Sequence, residues 1–399
     1  MTFYLSAYRS QPAAVYLLAR VRLARKEIES DLQIGLNVAY VEQESQTVTL
    51  YPFEKRYSIS DAEWLRWKEL QDADAISFEN TGICYRFYQA DAGDAAIVTG
   101  LACNTNCVMC PVSESSRRHA QLTPVDELKM QLRYFGTDIP HITITGGEPT
   151  LLKQGLLEVV QYAKEQCPSA EILILTNGRT FSVAPYAQAF NRILIAQDQI
   201  AIPIHGSNAE RHDAITQAQG SFAQTIQGLK TLAQGTMRIE IRIVVSKLNY
   251  MDISNIVDLL LTLPRITVVN FIALEMCGNA IKNRAQVWID YPEAAAACED
   301  GIEKLVSAGI DIGLYNFPLC AVKHMLWRST GRAISCRKGT PRPSCLKSCL
   351  DRERTTWNCV RPAVQPLDRW PITMMATFTP VMRVGCLPKW EIVHFNWER

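Results

Sequence analysis

AAIVTGLACNTNCVMC spans residues 95 to 110, and HITITGGEPT spans residues 141 to 150. Each is a short β-rich run that ends in unusual chemistry: three cysteines in the first, and Gly146, Gly147, Glu148 and Pro149 in the second. Between them TPVDELKMQLRYF (123 to 135) has the apolar spacing of an amphipathic helix. The order strand, loop, helix, strand then repeats. EILILT (171 to 176), QIAIPI (199 to 204), RIEIRIVV (238 to 245) and ITVVNFIAL (266 to 274) read as further strands. LLEVVQYAKEQC, SFAQTIQGLKTLA, SNIVDLLLTL and EAAAACEDGIEKLVSAG read as helices. Such succession predicts parallel strands with right-handed crossovers, in a partial, roughly six-stranded (β/α) barrel over residues 95 to 318. Barrels of this kind place their chemistry at the carboxyl ends of the strands.

Residues 1 to 94 have a different texture. NVAYVEQESQTVTLYPF and AISFENTGICYRFYQ alternate apolar and polar residues as half-exposed strands do, and SDAEWLRWKEL between them reads as a helix. This predicts a small α+β module. A third region, 319 to 399, is rich in cysteine. With 399 residues, 48% of them hydrophobic, the chain can bury one large core and an appendage. Its 41 basic residues balance 40 acidic ones, so charge selects neither nucleic acid nor an anionic membrane as partner. The N-terminus has no continuous apolar h-region and no 18-residue apolar span follows, so the expected setting is the cytoplasm. Thiols stay reduced there, and clustered cysteines among the thirteen point to metal.

Cys103, Cys107 and Cys110 stand as C-x3-C-x2-C directly after the first barrel strand, at the expected barrel mouth. Three thiolates can hold three irons of a [4Fe-4S] cluster and leave the fourth iron open to an amino acid's amino and carboxylate groups. A zinc knuckle is the competing use of the same residues. The C-x3-C-x2-C spacing and the Gly-Gly-Glu-Pro turn, on consecutive strands, resemble the two signatures of the radical S-adenosylmethionine (SAM) superfamily. The resemblance implies a cluster that binds SAM at its open iron and, given one electron from an external donor, cleaves it to a 5′-deoxyadenosyl radical. In that frame Gly146 and Gly147 let backbone approach the ligand, and the Glu148 carboxylate accepts from its ammonium. Asn177, in Thr176-Asn177-Gly178, stands where relatives reach the ribose, although such a tripeptide is also a common turn. Met109 stands where relatives often carry an aromatic residue next to adenine, although loop packing explains a thioether equally well. Arg242 reads as an inward partner for the SAM carboxylate or as a surface ion pair. His205 and His212 read as lining the mouth or as solvated loop residues.

Beyond the barrel, Cys320, Cys336, Cys345, Cys349 and Cys359 are crowded together. A zinc ribbon competes here with the cysteine-rich SPASM or twitch extensions of radical SAM maturases. The latter resemblance implies an auxiliary iron-sulfur cluster on Cys320, Cys345, Cys349 and Cys359, with Cys336 as a spare or a substitute. ALEMCGNAIKNRAQVWIDYPE, GIDIGLYNFPLC and MRIEIRIVVSKLNY are similar to His-Xaa-Ser-system radical SAM maturases of the HxsC type, over about 95 to 359. That family implies a peptide or small-protein substrate with His-Xaa-Ser repeats and a second radical SAM maturase as partner. The late cysteines stand as C-x3-C-x9-C where that family has C-x2-C-x5-C, and Cys386 lies in a divergent tail. A small-molecule substrate and a non-catalytic iron-sulfur scaffold are the alternative readings.

Overall fold

The computed structural model describes residues 1–5, 8, 16–79, 81–318 and 321. Cys320, Cys336, Cys345, Cys349, Cys359 and Cys386, and with them the expected auxiliary-cluster extension, lie outside the described residues.

The first sheet holds β1 (Thr2–Tyr4), β2 (Tyr16–Arg22), β3 (Val38–Glu42), β4 (Thr47–Tyr51), β5 (Lys55–Ser58), β6 (Ala75–Glu79) and β7 (Ile83–Tyr88). Its order is β1-β7-β6-β2-β3-β4-β5, antiparallel except where β2 pairs β3 across the helix Ile28–Gln33. The alternating sequences read as strands form the hairpins β3–β4 and β6–β7. The helix read between them spans Asp61–Trp67, and Ser60 and Glu63 close a reciprocal capping box at its start. Its last residue, Trp67, meets Phe3 edge to face at 4.9 Å in the module's own core.

The second sheet holds β8 (Asp94–Val98), β9 (His141–Thr145), β10 (Glu171–Leu175), β11 (Gln199–Pro203), β12 (Arg238–Val245), β13 (Ile266–Ala273) and β14 (Asp311–Tyr315). All pair in parallel in chain order, which makes seven strands where six were expected. The added strand is β14, five residues beginning with an exposed aspartate, too short for its alternation to stand out. The helices include those read from sequence, now Val125–Leu132, Gln154–Gln166, Ser221–Leu232, Ile253–Leu261 and Tyr291–Ser307.

Alternate residues of this sheet, Ile142, Ile144, Ile172, Ile174, Ile200, Ile202, Ile239, Ile241, Ile243, Val269 and Phe271, are buried in one continuous core with Leu128, Leu156, Val160, Phe190, Leu229 and Leu260. The opposite face carries Thr143, Thr145, Gln199, Ala201, Glu240, Arg242 and Asn270. Apolar residues bury one face of this parallel sheet against the helices, and mixed polar residues line the other. Among the described residues β14 and β8 are the sheet's two edges, so the sheet is open.

The sheets share packing. Leu18, Leu36, Ala75 and Tyr88 of the first region belong to the core of the second. The Tyr134 hydroxyl, on a residue 2% exposed, donates to Leu18 O at 3.0 Å and accepts from Asn37 N at 3.2 Å. Tyr134→Phe leaves the Asn37 amide unpartnered and should cost about 1 to 3 kcal/mol in urea denaturation. An unchanged midpoint would show that this bond does not join the two regions.

Candidate functional site

The cysteine loop is built on the carboxyl end of β8. Thr99 extends the pairing through its amide and hydroxyl, both donating to Thr145 O at 2.8 and 3.1 Å. Gly100 then turns with φ of +102°, a conformation that favours glycine. Past it the chain runs against the Gly-Gly-Glu-Pro turn that leaves β9. Gly147 N donates to Gly100 O at 2.8 Å and Glu148 N donates to Ala102 O at 2.9 Å. A Cβ on Gly146 would stand 2.5 Å from Gly100 O, and one on Gly147 would collide with Leu101 O and Ala102 O. The sequence reading assigned these glycines to close approach of a ligand. The structure uses them first for close approach of the cysteine loop itself.

Within the loop Thr105 stands between two thiols, its hydroxyl 3.2 Å from Cys103 Sγ and 3.6 Å from Cys107 Sγ. Asn106 N and Val108 N donate to Thr216 O and Ile215 O at 2.9 and 3.0 Å, which ties the loop to the helix end after β11. From the opposite side the segment after β13 closes on it. Asn279 N donates to Cys110 O at 2.8 Å, Asn279 Nδ2 to Cys107 O at 3.0 Å, and Asn283 Nδ2 to Val108 O at 2.8 Å. The three cysteines are half-buried. Burial pushes the Cys107 thiol up to about 12, with Cys110 and Cys103 adding to the rise and Thr105 and Arg117 opposing it. Burial also raises Cys110, against the pull of Arg117. These thiols therefore carry their protons at neutral pH until a metal displaces them.

Among the described residues no three His, Cys, Asp or Glu side chains gather tightly enough to hold one metal ion. A cluster does not need that, because each thiolate binds a different iron. The donor set, three thiols on one short loop with hydrogen-bonding hydroxyl and amide groups around them, fits a multi-iron centre.

Glu148 is fully buried, and its carboxylate is occupied by the protein. Oε1 accepts from Thr150 N at 2.9 Å, Thr150 Oγ1 at 2.6 Å and Thr176 Oγ1 at 2.7 Å, while Oε2 accepts from Asn177 N at 2.7 Å. The expected bond from this carboxylate to a ligand's ammonium thus meets oxygens already committed to joining the ends of β9 and β10. Asn177 donates from Nδ2 to Asn104 Oδ1 at 2.6 Å and Arg179 Nη1 donates to Asn104 O at 2.6 Å, so the third strand end also grips the cysteine loop.

Arg242 is not a surface ion pair. Its Nε donates at 2.7 Å to Oε1 of buried Glu240, two residues earlier on the same face of β12, and Gln199 and Asn270 also donate to Glu240. Met109 is buried with Ile215, Leu274, Ala280 and Val287 in a small apolar cluster beside the loop. Neither histidine is a solvated loop residue: His205 is 4% exposed and His212 2%, and the rings stack at 5.9 Å. His205 N donates to His212 Nδ1 at 3.2 Å, and His205 Nδ1 has no hydrogen-bond partner among the described residues. Thr105, Arg117, Asn279 and Cys277 were missed in the sequence. Cys277, half-buried, is raised to about 12 by burial, Glu275 and Cys110, which puts it in the field of the cysteine loop. No spacing tied it to Cys110, because the link is made only by folding.

Fold and loop together define an α/β protein with a three-thiol loop at the carboxyl edge of a parallel sheet, backed by a glycine turn from the next strand. Residues 97–260 match the model of the radical SAM superfamily, whose members use a [4Fe-4S] cluster and S-adenosylmethionine and require an electron donor. The chain is 27% identical over 163 residues to the AdoMet-dependent heme synthase of Methanosarcina barkeri, covering 39% of this chain and 44% of that one. It is 26% identical over 167 residues to a probable GTP 3′,8-cyclase of Saccharolobus islandicus, covering 42% and 52%. The chain spans about half the length of the curated relatives it matches. The crystal structure of Streptococcus suis SuiB superposes with a TM-score of 0.46 at 12% identity, over 61% of this chain and 54% of that one. The family match over residues 97–260 and the sequence relatives support the radical SAM superfamily for that region. Among the described residues no helix is long and apolar enough to cross a membrane.

Two predictions follow from the buried polar groups. Glu148→Gln turns an amide N–H₂ toward groups that are themselves donors, and should cost about 1 to 3 kcal/mol, read by urea denaturation. The histidines predict acid sensitivity. Burial lowers His205 to about 3, with His212 adding to the drop; burial lowers His212 to about 4, with Asp213 opposing and Arg179 adding. Unfolded, both bind protons near 6.5. Their neutral forms cost nothing above that pH, and stability is lost as pH falls below it toward 4. Each contributes up to about 1.4 kcal/mol per pH unit in that window. His205→Gln should make the fall in stability between about pH 6.5 and 5 shallower by about that amount; an unaltered slope would refute the assignment.

Proposed function

We propose that the chain is a radical SAM enzyme that modifies a peptide or small protein of the His-Xaa-Ser-repeat kind. The observation that carries the enzymatic part is the backbone-to-backbone lock between the Cys103–Cys110 loop and the Gly146-Gly147 turn. It fixes three thiols at the carboxyl edge of the sheet. When bound, a [4Fe-4S] cluster with SAM supplies a one-electron cleavage that leaves a 5′-deoxyadenosyl radical to take hydrogen from the substrate.

Cys103, Cys107 and Cys110 hold the cluster. Arg242, oriented by Glu240 through Nε, keeps its outer nitrogens for the carboxylate of the methionine moiety. The backbone of Gly146 and Gly147 and the side chain of Asn177 border the same ligand, and Met109 closes its apolar side. Residues 1–94 form a module packed against the barrel at 95–318, and among the described residues its edge strands β1 and β5 each pair on one side only. Open edges support strand addition by an extended peptide. The tail from 319 holds the auxiliary cluster on Cys320, Cys345, Cys349 and Cys359. A second maturase and an external electron donor are the partners, and the cytoplasm the setting.

A small-molecule substrate is the second reading. It is favoured by the names of the sequence relatives, a heme synthase, GTP 3′,8-cyclases and an Fe-coproporphyrin III synthase. Anaerobic incubation with SAM and dithionite should yield 5′-deoxyadenosine, and none once Cys103, Cys107 and Cys110 are all changed to Ala. Co-expression with a His-Xaa-Ser-repeat peptide should change the peptide's mass with the wild type alone. 5′-Deoxyadenosine without any peptide product, with or without a second maturase, would move the assignment to a small molecule.

A further inference from the structure

Arg117 lies beneath the cysteine loop and is 8% exposed. Its guanidinium donates from Nη1 to Thr105 O at 2.8 Å, from Nη2 to Asn106 Oδ1 at 2.5 Å and from Nε to Val112 O at 3.2 Å. Every one of these acceptors is uncharged. Among the described residues no carboxylate comes within ion-pair distance of Arg117. Glu114, three residues earlier, pairs with Arg118 and Lys282 instead.

Among the described residues several buried or half-buried cations are matched by carboxylates, whereas Arg117, like the buried carboxylate of Glu148, is held by neutral groups. Arg22 meets Asp31, Arg86 meets Asp74, Lys164 meets Asp198, and Arg242 meets Glu240. A buried cation without a counter-charge is costly, and hydrogen bonds to neutral acceptors offset only part of that cost. The groups on the same loop able to become negative are the thiols of Cys103, Cys107 and Cys110. Thr105 joins them to Arg117: its carbonyl accepts from the guanidinium while its hydroxyl lies against Cys103 and Cys107.

We infer that Arg117 is the built-in counter-ion of an anionic centre held by Cys103, Cys107 and Cys110, and that its charge sets how readily that centre accepts an electron. The inference rests on the radical SAM reading above. One-electron reduction by dithionite breaks no bond and adds one negative charge to the centre, so a fixed cation nearby favours the reduced form. Arg117 is a positioning and tuning residue and touches no reacting atom.

The test is spectroelectrochemical, on the reconstituted full-length protein. Arg117→Gln keeps an amide donor and removes the charge. It should lower the midpoint potential by a tenfold change in the reduction equilibrium, about 59 mV for a one-electron couple. Arg117→Lys keeps the charge and should stay near wild type, as should Arg118→Gln, which removes an exposed, paired charge next door. An unmoved midpoint in Arg117→Gln, or equal shifts in the Gln and Lys variants, would overturn the inference. If Arg117→Gln fails to retain iron, retention by Arg117→Lys supports it and loss from both overturns it. Wild-type protein without iron and acid-labile sulfide would sink the cluster reading itself, and this inference with it. A normal cluster with unmoved variants would sink the inference alone.

Discussion

The constraint on which the rest depends is the absence of side chains at Gly146 and Gly147. Two successive strand ends must run so close that amide meets carbonyl at 2.8 and 2.9 Å, and a methyl group at either glycine would strike backbone rather than a yielding side chain. Backbone cannot retreat by rotating a bond, so the separation of the cysteine loop from the second strand end is set by main-chain geometry. Everything placed on that loop inherits the precision of the sheet beneath it. A loop of eight residues carrying three thiols would otherwise sample many arrangements.

Glu148 extends the same logic to the third strand. A buried carboxylate is tolerable only with its lone pairs filled, and four donors from Thr150, Thr176 and Asn177 fill them. The side chain thereby joins the ends of β9 and β10, while Asn177 and Arg179 reach from β10 back to Asn104. On the far side Asn279 and Asn283 hold carbonyls of Cys107, Cys110 and Val108. The cysteine loop is thus held by the ends of β9, β10 and β13 and by the helix end after β11. Carbonyls turned toward these donors leave the thiols as the loop's remaining chemistry.

Much of this was legible in the sequence and some was not, for identifiable reasons. The β/α alternation announced the second sheet because each strand shows Ile or Val at alternate positions and each helix shows a 3.6-residue period. The strand β14 escaped because DIGLY is short and half-buried, and β5 because KRYS is an exposed polar edge. Cys103, Cys107, Cys110 and the Gly-Gly-Glu-Pro turn were legible as local patterns. What they do to each other was not, since a glycine conserves space for a neighbour that only folding supplies. Arg242 read equally as an inward residue or a surface ion pair until its register beside Glu240 was known. Arg117 sits in a polar run, SESSRR, that reads as solvated surface, and only the burial of one of its two arginines separates them.

That separation shows how the site's electrostatics are divided. Arg118 and Glu114 satisfy each other in solvent, where an ion pair contributes little and is readily screened. Arg117 is withdrawn from water and left with neutral acceptors, so its charge is screened less than that of Arg118. Burial raises the Cys107 and Cys110 thiols, and among the described residues no carboxylate pairs with the guanidinium. A metal held by these thiols would displace their protons and supply that counter-charge in one step.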